Sequence, residues 1–179
     1  DVDGDGIMEK QTSGGSYEQL DIKIITYEEP DYPSRQDAAT LIAEQLSQVG
    51  FNVTIDVMEQ SELIKTMKSG DYDLALVGYY LSMAPDYTFM LGGDGDSNLN
   101  GYSSAQMDAA LSDALTSVAE SDFQSAIDHV QMIVAQDLPV LSLYFRGGSL
   151  VSYLDMSSLD GLSELNTYNG LEYWQGVAG

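Results

Sequence analysis

The chain has no cysteine, a single histidine and no long apolar run among its 179 residues. The absence of cysteine excludes disulfides, thiolate metal sites and thiol catalysis. The single histidine, His129, leaves little room for a histidine-based zinc site or a histidine-dependent nucleophile. No stretch approaches the roughly 18 continuous apolar residues of a transmembrane helix. The sequence therefore predicts neither a thiol enzyme nor a membrane-spanning helix.

Basic residues are also scarce, since 6 Lys and Arg face 29 Asp and Glu and leave a net charge of −23. A nucleic-acid binder must neutralise phosphates with basic side chains, and an anionic membrane would repel this surface. We therefore expect no nucleic-acid partner. We interpret the acidity as a feature that keeps an exported or salt-exposed protein soluble and not as a surface for a specific cationic partner. Apolar residues make up 44% of the chain, enough for the core of one compact domain.

The chain begins abruptly in a polar loop, without an initiating methionine or a signal peptide. We interpret it as a mature product or a piece of a longer protein. Residues 1–19 are predicted to form an acidic, glycine-rich lead-in, as a loop or hairpin. Residues 20–154 are predicted to form an α/β ligand-binding lobe, and residues 155–179 a return segment toward a preceding lobe.

Strand and helix patterns alternate in the first half of the chain. Apolar alternation or continuous apolar runs predict strands over 20–27, 53–57 and 74–78, and helical spacing predicts helices over 34–49 and 61–69. Ser34 is the expected N-cap of the first helix, and Gly50 and Gly70 are the expected C-terminal glycines. Helical crossovers of this length imply parallel strands, so the predicted fold class is α/β. The continuous run over 74–78 predicts a strand covered on both faces.

Two further helices and a strand are predicted in the second half. The first helix follows Ser103 and Ser104 and places Met107, Leu111, Leu115 and Val118 on one face. Residues 140–145 then have the pattern of a strand.

The first residues of the chain resemble the start of a calcium-binding loop. Asp1, Asp3 and Asp5 supply carboxylates at alternate positions, a turn glycine follows, and Ile7 offers a backbone carbonyl. Thr12 stands where a bidentate carboxylate is expected, and Glu9 is the alternative oxygen donor. The competing interpretation is an Asp-Gly turn between two strands, and a calcium ion here would be structural.

Tyrosines follow two of the predicted parallel strands. In open α/β sheets the ligand crevice lies beyond the carboxyl ends of the strands. Tyr27 ends the first strand, and Tyr79 and Tyr80 follow the third. Such side chains offer flat apolar contact and a hydroxyl group to a ligand. The alternative is that they pack against the end of the sheet.

No motif requires an enzyme. The chain has neither a phosphate-binding G-x-x-x-x-G-K-[ST] loop nor a G-x-S-x-G elbow. Paired carboxylates are numerous because acidic residues are numerous, so a hydrolase based on them has no specific support.

Five segments in order resemble one family, the oligopeptide, dipeptide and nickel-binding proteins of ABC importers (bacterial extracellular solute-binding proteins, family 5). These segments are Asp3-Gly4-Asp5-Gly6-Ile7, Lys68-Ser69-Gly70-Asp71-Tyr72-Asp73, Gly78-Tyr79-Tyr80-Leu81 with Pro85-Asp86, Asn98-x-x-Gly101-Tyr102-Ser103, and Asp137-Leu138-Pro139 with Leu143-Tyr144-x-Arg146.

The resemblance implies the C-terminal lobe of a two-lobed, periplasmic-binding-protein-like fold that closes over its ligand by a hinge. It also implies a monomeric, extracytoplasmic protein, periplasmic or lipid-anchored, that captures peptides and delivers them to membrane permease subunits without catalysis or a required cofactor. The implied ligand-binding residues are Tyr27, Tyr79, Tyr80, Leu81, Ser82, Asp86 and Tyr102.

Two features of the ligand segment depart from the family pattern. Tyr79 replaces the usual Trp, and the uncharged Ser82 stands in the region where peptide binders commonly carry an Asp for the peptide α-amine. A non-peptide solute, such as a nickel chelate or a sugar, therefore stays open as an alternative. A free-standing, calcium-dependent extracellular binding module is the other.

Overall fold

A computed structural model gives the fold. It describes residues 1–30, 33–81, 85–145 and 151, and the backbone of 156–157 and 175–176. The predicted site residue Ser82 and most of the predicted return segment lie outside these residues. The strands are β1 (Glu9–Gln11), β2 (Tyr17–Gln19), β3 (Asp21–Tyr27), β4 (Asn52–Met58), β5 (Leu74–Leu76), β6 (Met156–Ser157) and β7 (Gln175–Gly176). The helices are α1 (Ser34–Gln48), α2 (Gln60–Ser69), α3 (Thr88–Leu91), α4 (Ala105–Thr116) and α5 (Glu120–Asp137).

The predicted α/β fold with parallel strands is confirmed. Strands β4, β3 and β5 form a three-stranded sheet in that order, and β3 runs parallel to both neighbours. Ile24, Ile25 and Thr26 of the central strand are fully buried because the sheet is covered on both faces there. The Thr26 hydroxyl donates to the Leu76 carbonyl at 2.9 Å, which satisfies this polar group inside the core.

The edge strand β5 differs from its prediction. It is shorter than the apolar run, and Leu74 is 41% exposed. The predicted cover on both faces is therefore wrong for this residue. An apolar run cannot distinguish a central strand from an edge strand, because the neighbours of a strand are set by the rest of the fold.

Helices α1 and α2 connect the three strands by crossovers. Leu63 and Met67 of α2 pack with Ile25 and Met58 on one face of the sheet, and α1 packs against β3 and β4. Both helices end as predicted, since Gly50 and Gly70 adopt positive φ values of 92° and 76° that L-residues rarely accept. The predicted cap at Ser34 is wrong by one position, because Pro33 is the N-cap and Ser34 is the first helical residue.

A second core lies between α3, α4 and α5. It contains the buried residues Leu91, Met107, Ala110, Leu111, Val130 and Ile133. Ser104 caps α4 as its hydroxyl accepts from the Met107 backbone N–H. The predicted apolar face of α4 is right for Met107 and Leu111 but wrong for Leu115 and Val118, which are 55% and 100% exposed. In the last turn Ala114 is the buried residue instead of Leu115, and Val118 lies beyond the end of the helix at Thr116.

Residues 140–145 do not form the predicted strand. A strand needs a hydrogen-bonded neighbour for its backbone groups, and none of the described strands pairs with this segment. Leu141, Leu143 and Phe145 are all exposed. Among the described residues, the helices are too short or too polar to cross a lipid bilayer.

Candidate ligand-binding site

The carboxyl ends of the parallel strands lie where the chain changes its direction across the sheet. One connection leads to β4 and the next returns past β3 to β5. A crevice forms at such a switch point, and ligands bind there in open α/β sheets. The segment 27–29 after β3, the first turn of α1 and the segment 78–81 after β5 meet at this edge. The sequence prediction named residues from the first and third of these segments.

A buried arginine joins these three segments. Arg35 in the first turn of α1 is 7% exposed, and its guanidinium carbon lies 3.9 Å from the centre of the Tyr27 ring. Its Nη1 forms an ion pair of 2.6 Å with Oε2 of Glu29. A methyl group on Gly78 would lie 3.0 Å from Arg35 Nη2 and 3.8 Å from the Tyr27 hydroxyl, so Gly78 allows this close approach. Sequence reasoning missed Arg35, whose only signal is a basic residue at the start of a helix in a very acidic chain.

The two tyrosines after β5 have different environments. The Tyr79 hydroxyl donates to the Ser97 carbonyl at 3.3 Å, and its ring contacts Phe89 edge to face at 5.9 Å. Burial, and then the nearby Tyr72, raise the pKa of Tyr79, so its hydroxyl stays protonated at neutral pH. Tyr80 is 92% exposed. Tyr79 therefore packs against the protein, as the alternative interpretation of these tyrosines proposed, whereas the side chain of Tyr80 is accessible to a ligand. Leu81, the next residue, is half-buried.

Asp86 and Tyr102 are engaged with other parts of the protein. The Asp86 carboxylate accepts from the hydroxyl and the backbone N–H of Thr88, at 2.6 and 2.9 Å, and these two bonds lower the pKa of Asp86. The Tyr102 hydroxyl donates to Asp137 Oδ2 at 2.6 Å. Asp86 thus fixes the start of α3, and Tyr102 fastens the 98–102 segment to the end of α5.

A series of contacts links three of the predicted ligand residues, Tyr27, Tyr79 and Tyr102, and we call this series the wall. Tyr27 lies beside Gly78, and the next residue, Tyr79, bonds to Ser97. Asn98 follows, and its amide donates to the carbonyls of Gly92 and Tyr102, at 2.8 and 2.6 Å.

The carboxylates of the predicted calcium loop lie close together. One oxygen from each of Asp1, Asp3, Asp5 and Glu9 lies within 4.8 Å of the others. Several of these oxygens accept backbone N–H bonds within the loop, and the Asp5 carboxylate also accepts from Gln19 in β2. Glu9 is the most buried of the four, with 6% of its side chain exposed, and it accepts from the Val2 N–H. Ile7 donates its N–H to Asp5, and the role of its carbonyl stays a prediction, as does the calcium ion.

Comparisons with known proteins give one consistent result. Residues 5–101 match the family model described as bacterial extracellular solute-binding proteins, family 5 Middle. The oligopeptide-binding protein AppA of Bacillus subtilis (strain 168) is 24% identical over 179 residues, which cover 97% of this chain and 32% of that protein. This chain therefore spans about a third of the length of the curated relative that it matches.

Solved structures share the fold. The structure of Bacillus subtilis AppA in complex with a nonapeptide has a TM-score of 0.63 and 25% identity, over 78% of this chain and 27% of that chain. The oligopeptide-binding protein from Thermus thermophilus, complexed with a pentapeptide, has a TM-score of 0.65 and 19% identity over 80% and 27%. NikZ from Campylobacter jejuni in complex with Ni(L-His) has a TM-score of 0.57 and 15% identity over 73% and 28%.

The resemblance seen in the sequence motifs is thereby confirmed. The matched residues include the acidic loop from Asp5 onward, the parallel sheet and the segment after β5. Because the family model matches more than half of its residues, the chain belongs to the bacterial extracellular solute-binding proteins of family 5.

Proposed function

We propose that this chain forms one lobe of the substrate-binding component of an ABC importer and that it captures peptides between this lobe and a second one. The observation that carries the proposal is the family match over residues 5–101, which includes the carboxyl edge of the sheet and its accessible Tyr80. In this role the protein is an extracytoplasmic monomer that hands its solute to membrane permease subunits. It binds and releases the solute without chemical change.

Peptides are the preferred solute because the relative that matches almost the whole chain is an oligopeptide-binding protein. Aromatic contact from Tyr80 and backbone hydrogen bonds suit an extended peptide of variable sequence. A metal chelate is the second candidate, since a structure of the same fold is in complex with Ni(L-His). The two candidates differ in what the purified protein should carry.

The first test is native mass spectrometry of the whole protein that contains this chain, expressed in peptide-rich medium, followed by denaturation and analysis of the released solute. A ladder of short peptides supports the peptide importer. A single small species supports the chelate or another solute instead. Protein that carries nothing, and binds no peptide when a peptide mixture is added, contradicts the proposal.

A matched pair of variants tests the wall itself. Tyr80→Ala should weaken peptide binding about tenfold, because removing an exposed aromatic contact that becomes buried on binding commonly costs more than about 1 kcal/mol. Tyr17→Ala is the control, since Tyr17 is 53% exposed on the hairpin strand β2. Equal affinities of the two variants, measured by calorimetry, would contradict a ligand role for Tyr80.

We also propose that the acidic loop, Asp1 to Glu9, holds a structural calcium ion. Four carboxylate oxygens within 4.8 Å of one another repel each other, and a divalent cation would relieve this repulsion. Calcium should therefore raise the Tm, and a chelator should reverse the effect. Asp3→Asn should reduce the calcium effect, whereas Asp94→Asn in the glycine-rich loop before α4 should not. An equal response to calcium in both variants would argue against this site.

A further inference from the structure

The segment that carries the accessible Tyr80 belongs to neither a strand nor a helix. Strand β5 ends at Leu76, and residues 78–81 have no regular secondary structure. A segment of this kind depends on its contacts with neighbouring groups for a defined position, because no ladder of backbone hydrogen bonds holds it. The bond from the Tyr79 hydroxyl to the Ser97 carbonyl is one such contact. The close approach of Arg35 to Gly78 is another.

The guanidinium of Arg35 explains the glycine at position 78. The φ angle of Gly78 lies outside the left-handed region, so the backbone there accepts a side chain. A methyl group at this position would nevertheless lie 3.0 Å from Arg35 Nη2. This distance is about 0.5 Å shorter than an ordinary contact between non-bonded heavy atoms. The neighbouring guanidinium, and not the backbone conformation, is therefore what disfavours a side chain here.

Arg35 is the better fixed of the two groups that meet. Its side chain is only 8% exposed and leaves the first turn of α1. Its guanidinium carbon lies 3.9 Å from the centre of the Tyr27 ring, and its Nη1 lies 2.6 Å from Glu29 Oε2. A planar guanidinium can stack on an aromatic ring and pair with a carboxylate at the same time. The segment 78–81 therefore takes its position from Arg35, and not the reverse.

We propose that Arg35 is a positioning residue for the ligand: its guanidinium supports the backbone at Gly78 and thereby sets the place of the Tyr80 side chain. The inference rests on the proposed peptide-binding function and on the contact of Tyr80 with the peptide. Gly78 and Tyr80 are two residues apart, at most about 7 Å along the chain. A displacement at Gly78 is therefore passed on to Tyr80.

The conservative variant Arg35→Lys separates this role from a role of the charge. It keeps a cation beside Glu29 but removes the flat group that stacks on Tyr27 and meets Gly78. Peptide binding should weaken by about threefold to tenfold, up to the loss expected for Tyr80→Ala. In a Tyr80→Ala background, Arg35→Lys should have almost no further effect, because the side chain that it positions is absent. A purely structural role would lower the affinity by a similar factor in both backgrounds.

Gly78→Ala perturbs the same contact from the other side. The added methyl group should displace the segment and weaken peptide binding. In the Arg35→Lys background the flexible ammonium group can move away, so Gly78→Ala should cost less there, which a general loss of stability would not produce. Gly14→Ala is the matched control, since its methyl group would have its nearest neighbour at 3.9 Å, and it should leave the affinity unchanged.

The experiment uses the whole protein that contains this chain, titrated with a tryptic hydrolysate of casein. Native mass spectrometry measures the fraction of protein that carries a peptide, at a temperature well below the Tm of every variant. If Arg35→Lys fails to fold, Gly78→Ala provides the same test, since its effect should also vanish in the Tyr80→Ala background.

The outcomes distinguish this inference from the proposed function. Equal losses with and without Tyr80, or an unchanged affinity of Arg35→Lys, would overturn the inference alone. Unchanged peptide binding by Tyr80→Ala would overturn it as well, while the importer function stands. Wild-type protein that binds no peptide from the hydrolysate would overturn the proposed function and, with it, this inference.

Discussion

Replacing Asn98 by alanine should lower the free energy of unfolding by about 2 kcal/mol. The Asn98 amide donates to two carbonyl oxygens, those of Gly92 and Tyr102, at 2.8 and 2.6 Å in a partly buried position. A typical intramolecular hydrogen bond contributes about 1 kcal/mol, and a partly buried carbonyl left without a donor costs at least as much. Two such bonds therefore give the estimate. For a chain of this length, the Tm should fall by about 4–8 °C.

Circular dichroism during thermal unfolding measures this change. Asn98→Asp should be more destabilising at neutral pH, because it places a carboxylate where two donors face carbonyl oxygens. Part of this additional loss should disappear in acid, where the introduced carboxyl group is protonated and can again donate one hydrogen bond.

Asn100→Ala is the matched control. The Asn100 amide also donates to a carbonyl, that of Pro139 at 2.8 Å, but this side chain is exposed and water can replace the bond. We expect a loss below about 1 kcal/mol. If Asn98→Ala and Asn100→Ala lower the Tm equally, the reasoning that Asn98 clamps the 92–102 loop is refuted.

Three further substitutions test contacts made by residues 86–102. Tyr102→Phe removes the 2.6 Å bond to Asp137 and should lower the free energy of unfolding by about 1 kcal/mol. Burial and this bond raise the pKa of Tyr102. The stability difference between wild type and variant, measured by denaturant titration, should therefore be at its full size below about pH 10 and shrink above it. The two bonds from Thr88 lower the pKa of Asp86, so the stability that they give is lost as the pH falls below about 3.8. Asp86→Asn should therefore make the stability of the protein less sensitive to acid. An acid-unfolding curve identical to that of wild type would contradict this. Gly95→Ala should destabilise by about 1–3 kcal/mol, as its methyl group would lie 2.6 Å from the Phe89 carbonyl, whereas Gly14→Ala, with its nearest neighbour at 3.9 Å, should have almost no effect on the Tm.

The sequence by itself determined the local structure. Alternation and helical spacing depend on neighbouring residues, so they predicted β3, β4, α1 and α2 and the parallel sheet. Glycine is the residue that accepts a left-handed conformation, and this chemistry placed the ends of α1 and α2 at Gly50 and Gly70. The order of the family segments was sufficient to indicate the fold.

Tertiary structure alone decided which side chains meet. The Tyr79 hydroxyl bonds to a carbonyl 18 positions away, and residues 29, 35 and 78 converge at the sheet edge from three separate segments. No local pattern encodes such contacts, because they depend on strand order and on the direction of each crossover. For the same reason, the apolar pattern of residues 74–78 did not show that their strand would lie at the edge of the described sheet. The similar pattern of residues 140–145 did not show that this segment would pair with none of the described strands. The sequence thus predicted residues at the carboxyl edge of the sheet, and the packing of α1 against the strands placed the Glu29–Arg35 ion pair beside them.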